Sequence, residues 1–200
     1  MDITTETIGG FLDALGAKTP TPGGGAVSSI AGALGAALAS MVVAYSIGKK
    51  SLAEHDDALR AAATRLQERR ADFLRLADED ARAYGRLNEI MRLPEDDPRR
   101  RDELPEAARD AAAAPLRTIE ACADLAALLE TLAPITNRHL RSDLAIAAVL
   151  TKATALASRW NVAVNAPLVI EQGGENPMER ADALVAALGE ATARTERACV

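Results

Sequence analysis

One aspartate stands where the pattern of the sequence requires a hydrophobic residue. Asp80 interrupts a row of apolar residues that repeats at the period of a core-facing helix, formed by Phe73, Leu76, Ala83 and Leu87. A carboxylate on a buried face must be paired, hydrogen-bonded or protonated, because desolvating an unpaired charge costs several kcal/mol. Asp80 is therefore either a member of a structural ion pair or a functional acid or base.

A second aspartate, Asp143, begins a row on one side of a later helix. The row continues at steps of three or four residues through Ala147, Leu150, Thr154, Ala157, Asn161 and Asn165. Polar groups at both ends of an apolar row indicate the lining of a site, because a surface helix would scatter them over its opposite face. The alternative is a helix N-cap role for Ser142 or Asp143, which leaves Asn161 and Asn165 unexplained.

A glycine-rich turn precedes the most apolar segment of the chain. Gly23, Gly24 and Gly25 follow Pro20 and Pro22, which exclude helix just ahead of them. Glycine permits positive φ, and the free amides at a helix start form a place where an anion or a polar carbonyl can dock. The simpler interpretation is that these glycines only provide clearance at the start of a helix.

These groups need a helix to position them, and residues 19–50 provide the central one. No charged residue occurs between Lys18 and Lys49, and small residues recur every four positions at Ser28, Gly32, Ala36 and Ser40. About 20 apolar residues could also span a membrane. The segment is rich in Ala, Gly and Ser, however, and the chain offers amphipathic helices to cover it. We therefore predict a closely packed core helix and no membrane partner.

The remaining pattern predicts an all-α protein with about six helices, two of them unusually long, in a single domain over residues 1–200. Helices are expected over 4–16, 51–93 and 104–132, after Asn137, and after Pro177. Residues 95–102 are expected to form a charged connector. No alternating pattern long enough for a sheet is present.

Composition excludes several classes of function. A net charge of −6 argues against nucleic acid as a partner, because phosphate binding needs a basic face. Cys122, Cys199, His55 and His139 show no metal-ligand spacing, so we predict no metal and no cofactor. The first residues carry acids where a signal peptide carries bases, which indicates the cytoplasm.

Several blocks in order carry a resemblance: PTPGGGAVSSIAGALGAALASMV, GKK, DEDARAY, N-x-x-x-x-SD and NVAVN. Together they resemble the cyclodeaminase/cyclohydrolase family of folate enzymes, over Phe11 to about Asn165. The resemblance implies an all-helical fold that forms a homodimer, with sites assembled around the glycine-rich turn. The chain departs from the family pattern at Ala44 and at His139, where relatives often have Asn.

The resemblance implies hydrolysis of 5,10-methenyltetrahydrofolate to 10-formyltetrahydrofolate. Water adds to the bridging carbon and the ring then opens, which requires a base and an acid. Asp80 or Asp143 is expected to take one of these roles, with Asn137, Asn161 and Asn165 orienting the pterin or the water.

The turn and the GKK block receive roles in the same way. Pro22 and the three glycines are expected to let main-chain amides approach the folate. Lys49 or Lys50 is expected to meet a carboxylate of the glutamate tail or to act in proton transfer. The alternative is that these lysines only complement a helix dipole.

Two other functions remain open. The nearer is a cyclodeaminase that releases ammonia from formiminotetrahydrofolate. The lack of a formiminotransferase domain in this sequence favours the stand-alone cyclohydrolase. The more distant alternative is a non-catalytic helical scaffold that only dimerises, and it predicts that both aspartates are paired with arginines.

Overall fold

The computed structural model describes residues 5–200, which form six α-helices, two short 3₁₀ helices and no strand. The α-helices are α1 Ile8–Gly16, α2 Gly24–Ala44, α3 Asp56–Met91, α4 Pro98–Leu132, α5 Arg141–Glu171 and α6 Pro177–Cys199. The 3₁₀ helices, Lys50–His55 and Arg138–Leu140, precede α3 and α5. The prediction of an all-α fold with about six helices is confirmed. Three helices, not two, are unusually long, with 36, 35 and 31 residues.

Side-chain hydrogen bonds occur at the start of two helices. The hydroxyl of Thr7 accepts a hydrogen bond from the Gly10 amide at 3.0 Å, so α1 begins at Ile8. The predicted start at Thr4 lies outside the described residues. The long helix predicted from Ser51 begins instead at Asp56, whose carboxylate accepts a hydrogen bond from the Gly48 amide at 2.9 Å.

The prediction of a charged connector over residues 95–102 is wrong from residue 98 onward. Asp97 caps α4 by accepting a hydrogen bond from the Arg99 amide at 2.8 Å, and Pro98 occupies the first helical position, where no N–H is needed. The arginines therefore lie in the first turn of α4. Arg99 forms ion pairs with Glu89 of α3 and Glu103 of α4 at 3.2 and 2.9 Å.

The central helix α2 packs against α3 on one side and α5 on another. A Cβ atom on Gly32 would lie 2.7 Å from the ring of Phe73 in α3. One on Gly35 would lie 3.2 Å from the carbonyl oxygen of Ala147 in α5. The row of small residues therefore serves the close helix packing that the sequence predicts.

Helix α2 is long and apolar enough by composition to cross a membrane, a property that core helices share. In this fold it is one wall of the main core, and 56% of its most apolar window is buried. The core joins α2 through α6, and each helix contributes fully buried side chains, for example Val42, Phe73, Leu129, Leu144 and Leu188. No residue of α1 is buried.

An apolar surface remains uncovered on α2 and α5. We call it the α2/α5 face, and its exposed hydrophobic residues are Val27, Leu34, Tyr45, Ile146, Val149, Leu156, Trp160 and Val164. On α5 these residues are spaced by three, seven, four and four positions, so they form one stripe. Large exposed apolar surfaces are typical of interaction sites.

The close contact between α2 and α3 predicts opposite effects for two glycines. Gly32→Ala should destabilise the protein by about 1–3 kcal/mol, because the fully buried Phe73 ring cannot move away from the new methyl group. Gly85→Ala is the matched control, since no atom lies within 4 Å of the position that its new methyl group would take. It should stabilise α3 by about 0.5–1 kcal/mol through helix propensity. Urea unfolding measures both, and a Gly32→Ala protein as stable as the parent would contradict the packing.

Candidate acid–base site

The first cavity lies where the N-terminal end of α2 meets α3 and α5. It has a volume of about 320 Å³. Its lining consists of Thr21, Gly23, Gly24, Gly25, Ala26, Asp80, Ala81, Tyr84, Ala111, Asn161, Val164 and Asn165. The glycine-rich turn, the acid of α3 and two amides of α5 are thus brought together by the fold.

Asp80 fills the space that a side chain at residue 25 would need. A Cβ atom on Gly25 would fall 1.8 Å from Oδ2 of Asp80, so only glycine leaves room for this carboxyl group. Asp80 is half-buried, and among residues 5–200 it forms neither a hydrogen bond nor an ion pair. Its neighbour Glu79 is the paired acid, with Arg75 and with Arg117 at 3.0 Å.

Burial raises the pKa of Asp80, because removal from water disfavours the charged form and no cation compensates. Two interpretations of Asp80 were possible, and the structural ion pair that one of them requires is absent from the described chain. The pairing with arginine that a pure scaffold would require is likewise not seen for Asp80 or Asp143 in residues 5–200. An unpaired acid with a raised pKa is a candidate for proton exchange with a ligand.

The two asparagines of α5 have different surroundings. The Nδ2 group of Asn165 donates to the carbonyl oxygens of Ala111 in α4 and of Asn161, at 3.0 and 2.9 Å. Asn165 therefore joins α5 to α4 beside the cavity. The side chain of Asn161 lies against Gly24, and in the described part of the chain its amide group has no hydrogen-bond partner.

A second cavity, of about 430 Å³, lies at the other end of α2. Its lining consists of Lys49, Ser51, Leu52, Glu54, His55, Pro134, Thr136, Asn137, Arg138 and His139. Asn137 is only 9% exposed; its amide N–H donates to Ser46 Oγ at 2.9 Å, and its Oδ1 accepts from the His139 amide at 3.2 Å. The departure from the family pattern at His139 thus lies on this cavity.

Both histidines of the chain line the second cavity, although they are 84 positions apart in the sequence. Within residues 5–200, no group of three or more His, Cys, Asp or Glu side chains is arranged to hold a metal ion. The cavity combines Lys49 and Arg138, which have no acidic partner in the described structure, with amide and imidazole groups. It is suited to polar or anionic groups.

Asp143 lines neither cavity. It lies half-buried in the first turn of α5, while the N-cap position belongs to Leu140, so the N-cap alternative does not describe it. The polar row that it begins is long: Asp143 is about 27 Å from Asn161 along the helix axis, at 1.5 Å per residue. Pro22 lies beside the first cavity, on a smaller one that it shares with Asp78.

Within one chain, all of the predicted site residues except Pro22 and Asp143 therefore fall into two groups. Gly23, Gly24, Gly25, Asp80, Asn161 and Asn165 meet at the first cavity, and Lys49 and Asn137 meet at the second. Among the lining residues that were not predicted as site residues are Tyr84 and Val164 in the first cavity and Arg138 in the second. Tyr84 had one usable signal, its position one turn after Asp80.

The fold is all-α, and a half-buried acid without a partner lies beside a glycine-rich helix start. These features define a class of protein, namely helical proteins with a candidate acid–base site. The sequence profile described as formiminotransferase-cyclodeaminase matches residues 7–183. The chain belongs to the formiminotransferase-cyclodeaminase family.

Two different activities are named among the relatives of the chain. It is 35% identical over 160 residues to the formimidoyltransferase-cyclodeaminase of Mus musculus, covering 78% of this chain but 30% of the mouse protein. It is 33% identical over 196 residues to the methenyltetrahydrofolate cyclohydrolase of Methylorubrum extorquens, covering 96% and 93% of the two chains. The crystal structure of the formiminotetrahydrofolate cyclodeaminase of Thermotoga maritima superposes with a TM-score of 0.89 at 28% identity, covering 98% and 96%.

The unpaired state of Asp80 predicts a pH-dependent effect on stability. The pKa of Asp80 in the folded protein is raised above the ordinary 3.8, because folding favours its neutral form. The contribution of this neutral carboxyl group to the free energy of unfolding is fully present below pH 3.8 and is lost as the pH rises through the pKa of the folded state. Asp80→Asn should therefore raise the melting temperature at pH 7, with a difference that shrinks as the pH approaches 3.8.

Melting curves between pH 4 and pH 8 measure this difference. Asp13→Asn, on the exposed side of α1, is the control for loss of one negative charge. A gain that is the same at every pH, or a less stable Asp80→Asn protein at pH 7, would contradict the assignment of Asp80 as an uncompensated buried acid.

Proposed function

We propose that the protein hydrolyses 5,10-methenyltetrahydrofolate to 10-formyltetrahydrofolate, with the chemistry at the first cavity. The observation that supports this most is the carboxyl group of Asp80, unpaired and pressed against the backbone of Gly25. The similarity to the Methylorubrum extorquens cyclohydrolase, which covers nearly the whole of both chains, favours this reaction.

Asp80 acts first as a base and then as an acid. The bridging carbon of the substrate is part of an amidinium cation, which a carboxylate attracts. As a water oxygen bonds to this carbon, the π electrons move onto one nitrogen and Asp80 accepts a water proton. Asp80 then gives a proton to the departing nitrogen as its bond to carbon breaks, leaving a formyl group and one released proton. The raised pKa suits both steps.

The other residues of the first cavity hold the ring system and the water. Asn161, whose amide is free in the described structure, is placed to orient the pterin or the attacking water. Asn165 fixes the spacing of α5 and α4 through its bond to Ala111. The open backbone at Gly23 and Gly24 lets main-chain amides approach the folate. Water is the only co-reactant, so the proposed reaction requires no cofactor and is compatible with the cytoplasm.

We further propose that two copies form a homodimer through the α2/α5 face. A two-fold interface uses the same surface on both copies, and this face is apolar and uncovered. With the axis perpendicular to α2, the two α2 helices run antiparallel. The first cavity of one copy then lies near the second cavity of the other.

This arrangement reunites the predicted site residues that one chain separates. Lys49 and Asn137 of one copy would face Asp80 and the glycine-rich turn of the other, and Asp143 lies toward the same end as Lys49. In this position Lys49 can meet a carboxylate of the folate tail or transfer a proton. The dimer thus explains why the two groups of residues lie at opposite ends of α2.

The catalytic role of Asp80 predicts a specific loss of activity. Asp80→Asn should lower kcat for methenyltetrahydrofolate at least a hundredfold or so, because an amide cannot exchange the proton. Asp78→Asn, two residues away on α3 and outside the first cavity, should retain activity. Loss of the methenyl absorbance measures turnover, and circular dichroism verifies that helix content is unchanged. Equal activity in the two variants would exclude Asp80 as the proton carrier.

The cyclodeaminase reaction is the second candidate, favoured by the similarity to the Thermotoga maritima cyclodeaminase over 98% of this chain. In that reaction a folate nitrogen attacks the formimino carbon and ammonia leaves, which needs the same proton exchange. Ammonia release from formiminotetrahydrofolate, measured beside methenyl hydrolysis on one preparation, decides between them. Faster ammonia release than methenyl hydrolysis would assign the cyclodeaminase.

The dimer predicts complementation between two inactive variants. Asp80→Asn and Lys49→Met, each inactive alone, should regain about a quarter of the parent activity when unfolded together and refolded in equal amounts. Half of the random dimers are then mixed, and each mixed dimer contains one intact site. Sites confined to one chain would give no recovery, and that result would overturn the shared site. Refolding each variant alone is the control.

A further inference from the structure

An aromatic side chain lies on the wall of the first cavity, in a chain that has only five aromatic residues. Tyr84 follows Asp80 by one turn of α3, so both side chains project from the same face of the helix. Phe73, earlier on that face, is fully buried in the core, whereas Tyr84 remains 43% exposed. A large ring left partly open on a cavity wall is available to contact a ligand.

The charge of the cavity restricts which ligand can occupy it. None of its lining residues is Lys, Arg or His, and Asp80 is the acidic group among them. The hydroxyl and amide groups of Thr21, Asn161 and Asn165 are uncharged. A positively charged ligand is therefore favoured over an anionic one at this end of the molecule.

The shape of the lining restricts the ligand further. Ala81 and Ala111 are small, and Val164 of α5 adds an apolar side chain that is 74% exposed. These small apolar side chains leave room beside the polar groups of the lining. This lining suits a planar ring system more than a flexible polar chain.

We propose that Tyr84 binds the cationic ring system of the substrate through the face of its phenol ring. The inference rests on the proposed function, since the methenyl compound is a cation and its hydrolysis product is not. The negative potential over an aromatic face attracts a cation within about 6 Å of the ring centre. Tyr84 therefore favours the substrate over the product, in addition to the attraction exerted by the Asp80 carboxylate.

The ring, not the hydroxyl group, carries this role. In residues 5–200 the Tyr84 hydroxyl has no hydrogen-bond partner, so its removal leaves no other group unpaired. Tyr84→Phe retains an aromatic face, while Tyr84→Leu and Tyr84→Gln remove it from a half-exposed position of α3. The phenylalanine variant is thus a matched control for the other two.

Binding measured by calorimetry in the Asp80→Asn background avoids consumption of the substrate. Tyr84→Leu should raise the Kd of 5,10-methenyltetrahydrofolate roughly five- to thirtyfold, and that of the uncharged-ring 5-formyltetrahydrofolate less than about threefold. Tyr84→Phe should keep both Kd values within about threefold of the background protein. Tyr84→Gln, a good helix former, repeats the comparison if Tyr84→Leu lowers the melting temperature.

The outcomes separate this inference from the proposed function. An equal rise in Kd for both folates, or no rise for the cation in either variant that lacks the ring, would overturn the role of Tyr84 while leaving the function in place. If the unsubstituted protein neither binds nor converts methenyltetrahydrofolate, both proposals fail together.

Discussion

The architecture depends on how closely α2 can approach α3. At Gly32 the ring of Phe73 occupies the volume that a side chain would take, and at Gly25 the carboxyl group of Asp80 does so. The first contact belongs to the core and the second to the candidate site. The glycines of α2 therefore determine both the packing of the bundle and how deeply Asp80 is buried.

The acids of α3 and α4 differ in whether they form ion pairs. Eleven of the fifteen acids of α3 and α4 have an arginine partner, as Glu79 has in Arg75 and Arg117. Asp80 has none in the described structure, and burial raises its pKa. The chain thus keeps an acid in a position that costs stability and provides no hydrogen bond or ion pair in return. A proton-transfer role explains such a residue better than packing does.

The ends of α2 differ in the charges that they present. The cavity at its N-terminal end contains an acid and no cation, whereas the cavity at its C-terminal end contains Lys49 and Arg138. The proposed substrate combines a cationic ring system with an anionic tail. The uncovered α2/α5 face lies between these two ends, so an antiparallel pair of chains would place complementary charges together.

The sequence by itself determined the all-α fold, the central helix and the anomaly of Asp80, because each follows from a local repeat of 3.6 residues. It also predicted that Asp143 and Asn161 share one side of α5, since periodicity reports direction around a helix. Their separation of about 27 Å along the axis follows from the same helix geometry. Helix geometry does not say which side chains of other helices lie beside each of them. Only the tertiary structure decided that Lys49 and Asn137 lie away from Asp80 and that Tyr84 lies beside it, because those positions depend on contacts between helices distant in sequence.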